Sequence, residues 1–266
     1  MQLVHPETYL DTQAAIRNCT VVAYSSIAVE GEVPLFKPPY SSKGCAFLFV
    51  SEGSVLPEKV DFKPILHRRT VDTRFMSNRK FSKIPKLAPH LLFGNRTTVF
   101  FDTKLYLKVD LMTLASLSRD SHLSAYRHPN CVGNCIPVKW MRTEAKLLQN
   151  SGRAGRKELL AAQVKRYSSS ISTESPCQAY IDTAILIQRN ARPIFEAWSE
   201  EFFLPQNSDR DQIPFAYVAA MTCPNLVLLK PRRPCTKRLC HWYVDRSVAV
   251  LHRTNFEERR RQTTKA

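Results

Sequence analysis

Residues 97–110, Thr-Thr-Val-Phe-Phe-Asp-Thr-Lys-Leu-Tyr-Leu-Lys-Val-Asp, constrain the fold of this chain more than any other stretch. Thr98, Val99, Phe100 and Phe101 form a strand-favouring run without alternation, the pattern of a strand buried on both faces inside a helix-covered sheet. The run stops at Asp102, after which Lys104, Tyr106 and Lys108 alternate with Leu105, Leu107 and Val109. Ligands of open α/β sheets bind outside the carboxyl ends of the strands, which puts Asp102 where a site would be. An aspartate that only caps the following turn gives the same spelling.

The rest of the chain supplies partners for such a strand. Ala179–Gln188 reads as a second buried strand, and Thr20–Ile27, Cys45–Val50, Phe62–Leu66 and Ser124–Arg127 as shorter ones. Helical periodicity runs through Val138–Gln149, Arg156–Tyr167 and Arg192–Phe203, the last with Pro193 in its first turn. Asp110 fits the N-cap of a helix over LMTLASLS. A turn-rich or short helical segment, SKIPKLAPHLLFG, is bounded by Pro85 and Pro89 and stopped by Gly94. Ser208 or Asp209 is expected to cap an apolar helix that begins near Gln212. Asp209, Arg210, Asp211 and Gln212 together exceed what a cap needs. Glu144 and Gln163, on the two middle helices, have the ordinary reading of surface residues.

Composition removes several functions. Only seven glycines occur, with no GxGxxG or GxxxxGK[ST], so a glycine-rich phosphate loop is not expected. No eighteen-residue apolar run is present, and the first residues have neither a basic segment nor an apolar core; a soluble chain without export signal or anchor is the expectation. The net charge of +16 attracts phosphates and polyanions. Half of it is terminal: from Lys230 onward there are 11 Lys and Arg against 3 Asp and Glu, or +8. Ahead of the central strand, Arg68, Arg69, Arg74, Arg79, Lys80, Lys83 and Lys86 either reach a diphosphate at the strand ends or form a solvated basic face. The eight cysteines contain no CxxC pair. Cys131 with Cys135, and Cys235 with Cys240 and His241, are weak zinc signals, and one disulfide is the expectation in an oxidising compartment. Asn18-Cys-Thr and Asn95-Arg-Thr are glycosylation sequons that matter only in a secretory setting.

Several segments, taken together and in order, carry a resemblance: KLAPHLLFG, TVFFDTKLYL, AYRHPNC, Glu144-Ala145, Gln163xxxTyr167, ILIQRNARPIFEAWSEEF and SDRDQIPFAYV. This series resembles the plant and bacterial glycosyltransferase-like family containing the TOD1 and MUCI70 proteins, over roughly Thr20 to Met221. The resemblance implies a GT-A-like α/β fold, a mostly parallel sheet flanked by helices with a nucleotide at the strands' carboxyl ends. Residues 1–19 then read as a leader, 20–221 as the glycosyltransferase-like domain and 222–266 as a basic extension. It implies sugar transfer from a nucleotide-sugar donor to a glycan or other acceptor, with Golgi-lumen residence if the chain is eukaryotic and anchored elsewhere, and a soluble cytoplasmic one otherwise. Asp102, Asp209, Asp211 and Gln212 are the implied catalytic residues; Arg79, Lys86, Lys104, His128 and Glu144 are the implied donor contacts. The family's metal-binding DxD is Asp102-Thr103-Lys104 here, so Mn²⁺ or Mg²⁺ would be held weakly, through Asp102, with Lys104 sharing in neutralising the diphosphate. A lipid-amide (ceramide) hydrolase of the same family, a degenerate site, and a basic nucleic-acid-binding module are the alternatives. The chain has no specific nucleic-acid motif.

Overall fold

The structure, a computed structural model, describes residues 1–33, 45–58, 62–103, 105–118, 123–128, 136–151, 156–171, 181–229 and 249–251. In chain order these form α1 (Pro6–Ile16), β1 (Val21–Ile27), β2 (Gly31–Glu32), β3 (Ala46–Ser51), β4 (Ser54–Val55) and β5 (Lys63–His67). Three short helices follow, α2 (Asn78–Phe81), α3 (Ile84–Leu87) and α4 (Pro89–Phe93), then β6 (Thr97–Phe101), β7 (Leu105–Leu107), α5 (Leu111–Ser116) and β8 (Leu123–Arg127). The remainder is α6 (Pro137–Asn150), α7 (Lys157–Ser170), β9 (Ile181–Gln188), α8 (Arg192–Phe203), α9 (Gln212–Thr222), β10 (Leu226–Leu229) and β11 (Ala249–Leu251).

Seven strands form the central sheet, in the order β10-β8-β9-β6-β1-β3-β5. All run parallel except β9, which is antiparallel to both its neighbours, β6 and β8. This is the α/β architecture expected from the sequence, a mostly parallel sheet flanked by helices. Strand alternation divides the core between the faces. Val22, Tyr24, Phe47, Phe49, Phe100 and Leu186 pack on one side with Phe81, Leu87, Phe93 and Trp198. Val21, Ala23, Leu48, Val99, Phe101 and Ile185 pack on the other with Leu105, Leu107, Leu111 and Leu114. β6 is therefore buried on both faces, as its unalternating run requires.

The helices follow from their sequences. α8 buries Ile194, Phe195, Trp198, Phe202 and Phe203, one face of a 3.6-residue repeat. Asp110 caps α5 as expected, its Oδ1 accepting from the Thr113 amide at 2.9 Å. Gly94 ends α4 at φ +59°, a conformation that glycine adopts without a Cβ penalty. The residues read as a leader contain α1, which lays Thr8, Thr12 and Ile16 against the body and leads into the Cys19–Cys45 disulfide. At the other end, the boundary read at Met221 falls inside α9, and β10 beyond it is a strand of the central sheet. β11 pairs antiparallel with β7, so part of the basic extension is built onto the fold.

Candidate functional site

Because β9 runs against the sheet, its first residues lie beside the last residues of β6 and β8: Ile185 pairs with Phe101, and Ile181 with Arg127. The ladder between β8 and β9 shifts register after Ala125, where the partner moves from Leu186 to Asp182. Such irregularities re-aim side chains next to active sites. Here the shift places Asp182 and Thr183 at the carboxyl edge, beside the residue after β6, Asp102, whose amide donates to the Ala184 carbonyl at 2.8 Å.

Asp211 is the centre of the cluster. It begins α9 without using its side chain as a cap, and that side chain is 8% exposed. One oxygen, Oδ2, accepts from Lys86 Nζ in close contact, from Thr183 Oγ1 at 3.2 Å and from Lys83 Nζ at 3.5 Å. Burial alone would raise its pKa; the ammonium groups of Lys83 and Lys86 and the Arg210 guanidinium outweigh burial and hold it far below the carboxylate range. Lys86 answers in kind. Its burial pushes the ammonium down to about 8 while Asp211, and then Asp102, pull it back up. Asp102 and Asp211 thus act on one lysine, although 108 residues separate them. Asp182 moves the other way: burial, Asp102 and Asp211 raise it, against its bond from the Ala184 amide and the charge of Lys86.

The loop that delivers Asp211 is fastened from behind. Gln163 Oε1 accepts from the Ser208 amide at 3.1 Å and its hydroxyl at 2.7 Å, while Gln163 Nε2 donates to the Tyr167 hydroxyl at 2.9 Å. Tyr167 donates to Glu201 at 2.8 Å, and Asn207 Nδ2 donates to both at 3.2 and 2.9 Å. Trp198 Nε1 donates to the Asp211 carbonyl at 2.8 Å. Gln163 and Glu144 are buried, so their surface reading is corrected: each lies on the helix face turned toward the α9 side of the core. The cap reading is corrected as well. Asp211 takes the N-cap position, Ser208 is spent on Gln163, and Asp209 accepts from Ser77 Oγ at 2.8 Å.

The expected residues therefore fall into three groups. Asp102, Lys86 and Asp211 share one neighbourhood, with Gln212 half-buried on the first turn of α9. His128 and Glu144 gather about Arg210: Arg210 stands 4.0 Å from Glu144 Oε1 and adds to the burial that lowers His128 to about 4, while the His128 ring meets Trp140 edge-on at 5.1 Å. Asp209 faces α2, where it raises the pKa of Lys80 against the dominant effect of burial. Arg79 is exposed on α2, and Lys104 lies outside the described residues. Lys83, Asp182, Thr183 and Arg210 are participants beyond the implied site residues: Lys83 was read only as part of the basic segment, Arg210 only as part of the polar run before α9, and Asp182 and Thr183 not at all. The Lys83xxLys86 spacing, one helical turn, was the available signal for the first; nothing in a strand's composition reveals that it runs backwards, which is what brings the next two in.

Two features extend the same edge. The hydroxyls of Ser25 and Ser26, at the end of β1, are buried and meet no hydrogen-bond partner among the described residues. A cleft of about 150 Å³ opens beyond β3 and β5, lined by Glu30, Ser51, Glu52, Arg69, Asn78 and Phe81. A larger hollow of about 350 Å³ lies at the opposite edge, against the disulfide. It is far from the charged cluster, and size alone does not make it the site. Among the described residues, no three His, Cys, Asp or Glu side chains gather as a metal would need, and no helix is long and apolar enough to cross a membrane.

No protein-family model matches the sequence, and no curated protein sequence does. Among solved structures, the chain is similar to the apo crystal structure of mouse xyloside xylosyltransferase 1, with a TM-score of 0.37 and 11% identity over 84% of this chain and 91% of that one.

Proposed function

We propose that the chain is a glycosyltransferase that takes a sugar from a nucleotide-diphosphate donor bound at the carboxyl edge of its sheet. One observation carries the reading: two lysines one helical turn apart, Lys83 and Lys86, converge on buried Asp211 at the edge where Asp102 and Asp182 also end. A departing nucleoside diphosphate needs positive charge fixed in place before the bond breaks. Lys86, nearly sealed, holds Asp211 in position; Lys83, whose side chain is 23% exposed, is the ammonium that solvent and a diphosphate can reach. Asp182, whose carboxyl burial holds above its ordinary value, is the proposed acceptor of the acceptor hydroxyl's proton. The hydroxyl of Ser26, without a partner among the described residues, offers a donor for the nucleotide's polar groups, since leaving it unsatisfied costs about 1–3 kcal/mol.

A divalent cation arriving with the donor would take Asp102, with phosphate and water oxygens completing its shell, and would supply neutralising charge. Of the three carboxylates at this edge Asp211 is engaged by the lysines, and one or two are as many as Mg²⁺ usually takes from protein. Membership of the TOD1/MUCI70 family belongs to the proposal on the same footing.

The test is a thermal-shift panel of nucleotide sugars, with and without Mn²⁺, on the parent and Lys83→Ala. A stabilising donor is expected, with affinity lowered about tenfold in the variant, the loss of one charge-assisted contact. A panel without a ligand, or a variant that binds equally well, overturns the reading.

A further inference from the structure

The two sequons are not scattered over the surface. Asn18-Cys19-Thr20 runs into β1 and Asn95-Arg96-Thr97 into β6; these strands are parallel neighbours, and Val21 pairs with Thr97. Both asparagines are exposed and both stand in turns. They emerge side by side at the amino edge of the sheet, the edge opposite Asp211. Gly94, preceding Asn95, has open space around its Cα. The cysteine inside the first sequon is oxidised to Cys45, Cys223 is also disulfide-bonded, and no free cysteine occurs among the described residues. Disulfides of this structural kind form in extracytoplasmic compartments, where N-glycosylation also takes place.

We propose that Asn18 and Asn95 are N-glycan acceptors, and that the chain matures in an oxidising secretory lumen. The side-chain amide nitrogen of each asparagine forms a bond to the anomeric carbon of a lipid-diphosphate-linked oligosaccharide. The carbon–oxygen bond to phosphate breaks, the lipid diphosphate leaves with that electron pair, and the amide gives up one proton. Transfer to both sites covers the amino edge, including the hollow lined by Arg17, Asn18, Cys19, Cys45 and Lys63, with hydrated sugar. The carboxyl edge stays clear. This inference is independent of the transferase reading, because it rests on exposure, topology and redox state at the other edge.

Protein recovered from its native source is deglycosylated with a peptide N-glycosidase in heavy-oxygen water and analysed by mass spectrometry. Heavy-oxygen aspartate is expected at positions 18 and 95, in chains whose Cys19–Cys45 disulfide is intact. Expression with Asn18→Gln and Asn95→Gln removes the electrophoretic shift in two steps. Unlabelled asparagine at both positions in the oxidised native chain overturns the proposal. Label at only one removes the other site from it. The native-chain measurement stands whether or not the variants fold.

Discussion

A carboxylate that exchanges water for two ammonium groups stabilises the fold only while both partners are present. Replacing Lys86 by Met keeps the volume of the stem but leaves Asp211 buried with Lys83 3.5 Å away as its remaining lysine. Breaking a buried pair from one side costs about 3–5 kcal/mol, and that loss is expected in chemical denaturation of Lys86→Met. The double variant Lys86→Met, Asp211→Leu is expected to recover part of it, because no uncompensated charge remains. A double variant as unstable as the single would show that Lys86 matters for packing against Phe100, whose ring centre lies 4.9 Å from Nζ, and not for charge.

Elements differ in how much of themselves they show in sequence. The stretch read as α8 matches its observed limits, and β6 and β9 were visible, because long apolar or amphipathic runs leave few alternatives. α1 was not, and the reason is physical: the residues it buries are Thr8, Thr12 and Ile16, two of them polar, so hydrophobic periodicity passes over it. Thr12 instead satisfies itself on the Thr8 carbonyl at 2.7 Å, and Thr8 on the Leu66 carbonyl at 3.1 Å. The site was half legible for a related reason. Asp102 and Asp211 border recognisable elements, whereas Asp182 depends on strand direction, which pairing decides. The segment from Pro231 to Ala266 reads as dispensable from charge and proline content unless its apolar stretches, Trp242–Val244 and Val248–Leu251, add a strand or helix, and β11 is such a strand, the antiparallel partner of β7. β7 follows the turn closed by the Leu105 amide on the Asp102 carbonyl at 2.8 Å. Truncation at Lys230 is therefore expected to speed hydrogen exchange at Leu105–Leu107 and to weaken donor binding through Asp102. Unchanged exchange there would restore the dispensable reading.

At the scale of the molecule, acid should unfold this protein in a characteristic order. His67 is sealed between Phe81, stacked at 4.1 Å, and Phe49, and burial, aided by the Arg69 charge, pushes it down to about 3. An unfolded histidine titrates near ~6.5. Between those values the unfolded chain holds the extra proton, so stability falls as pH falls, by about 2 kcal/mol at pH 5 from His67 alone. His128, lowered to about 4 by burial and Arg210, adds loss of the same sign. Asp211 adds more below ~3.9, where the unfolded carboxyl takes a proton that the folded one refuses; Asp182, raised, opposes it. His67→Phe, which preserves the stack, is expected to flatten the dependence of the urea midpoint between about pH 7.5 and 5; an unaltered slope would assign it elsewhere. Trp198, the largest fully buried side chain among the described residues, joins this fold-wide record to the charged cluster. Its indole packs against Phe195 and Phe215 and holds the Asp211 carbonyl. Light absorbed there is emitted a hydrogen bond away from the residue that two lysines neutralise. With the chain's other two tryptophans, Trp140 and Trp242, replaced by Phe, the colour of that emission becomes an unlabelled gauge, expected to shift when charge arrives at Asp211 and again, toward the red, when water reaches the core.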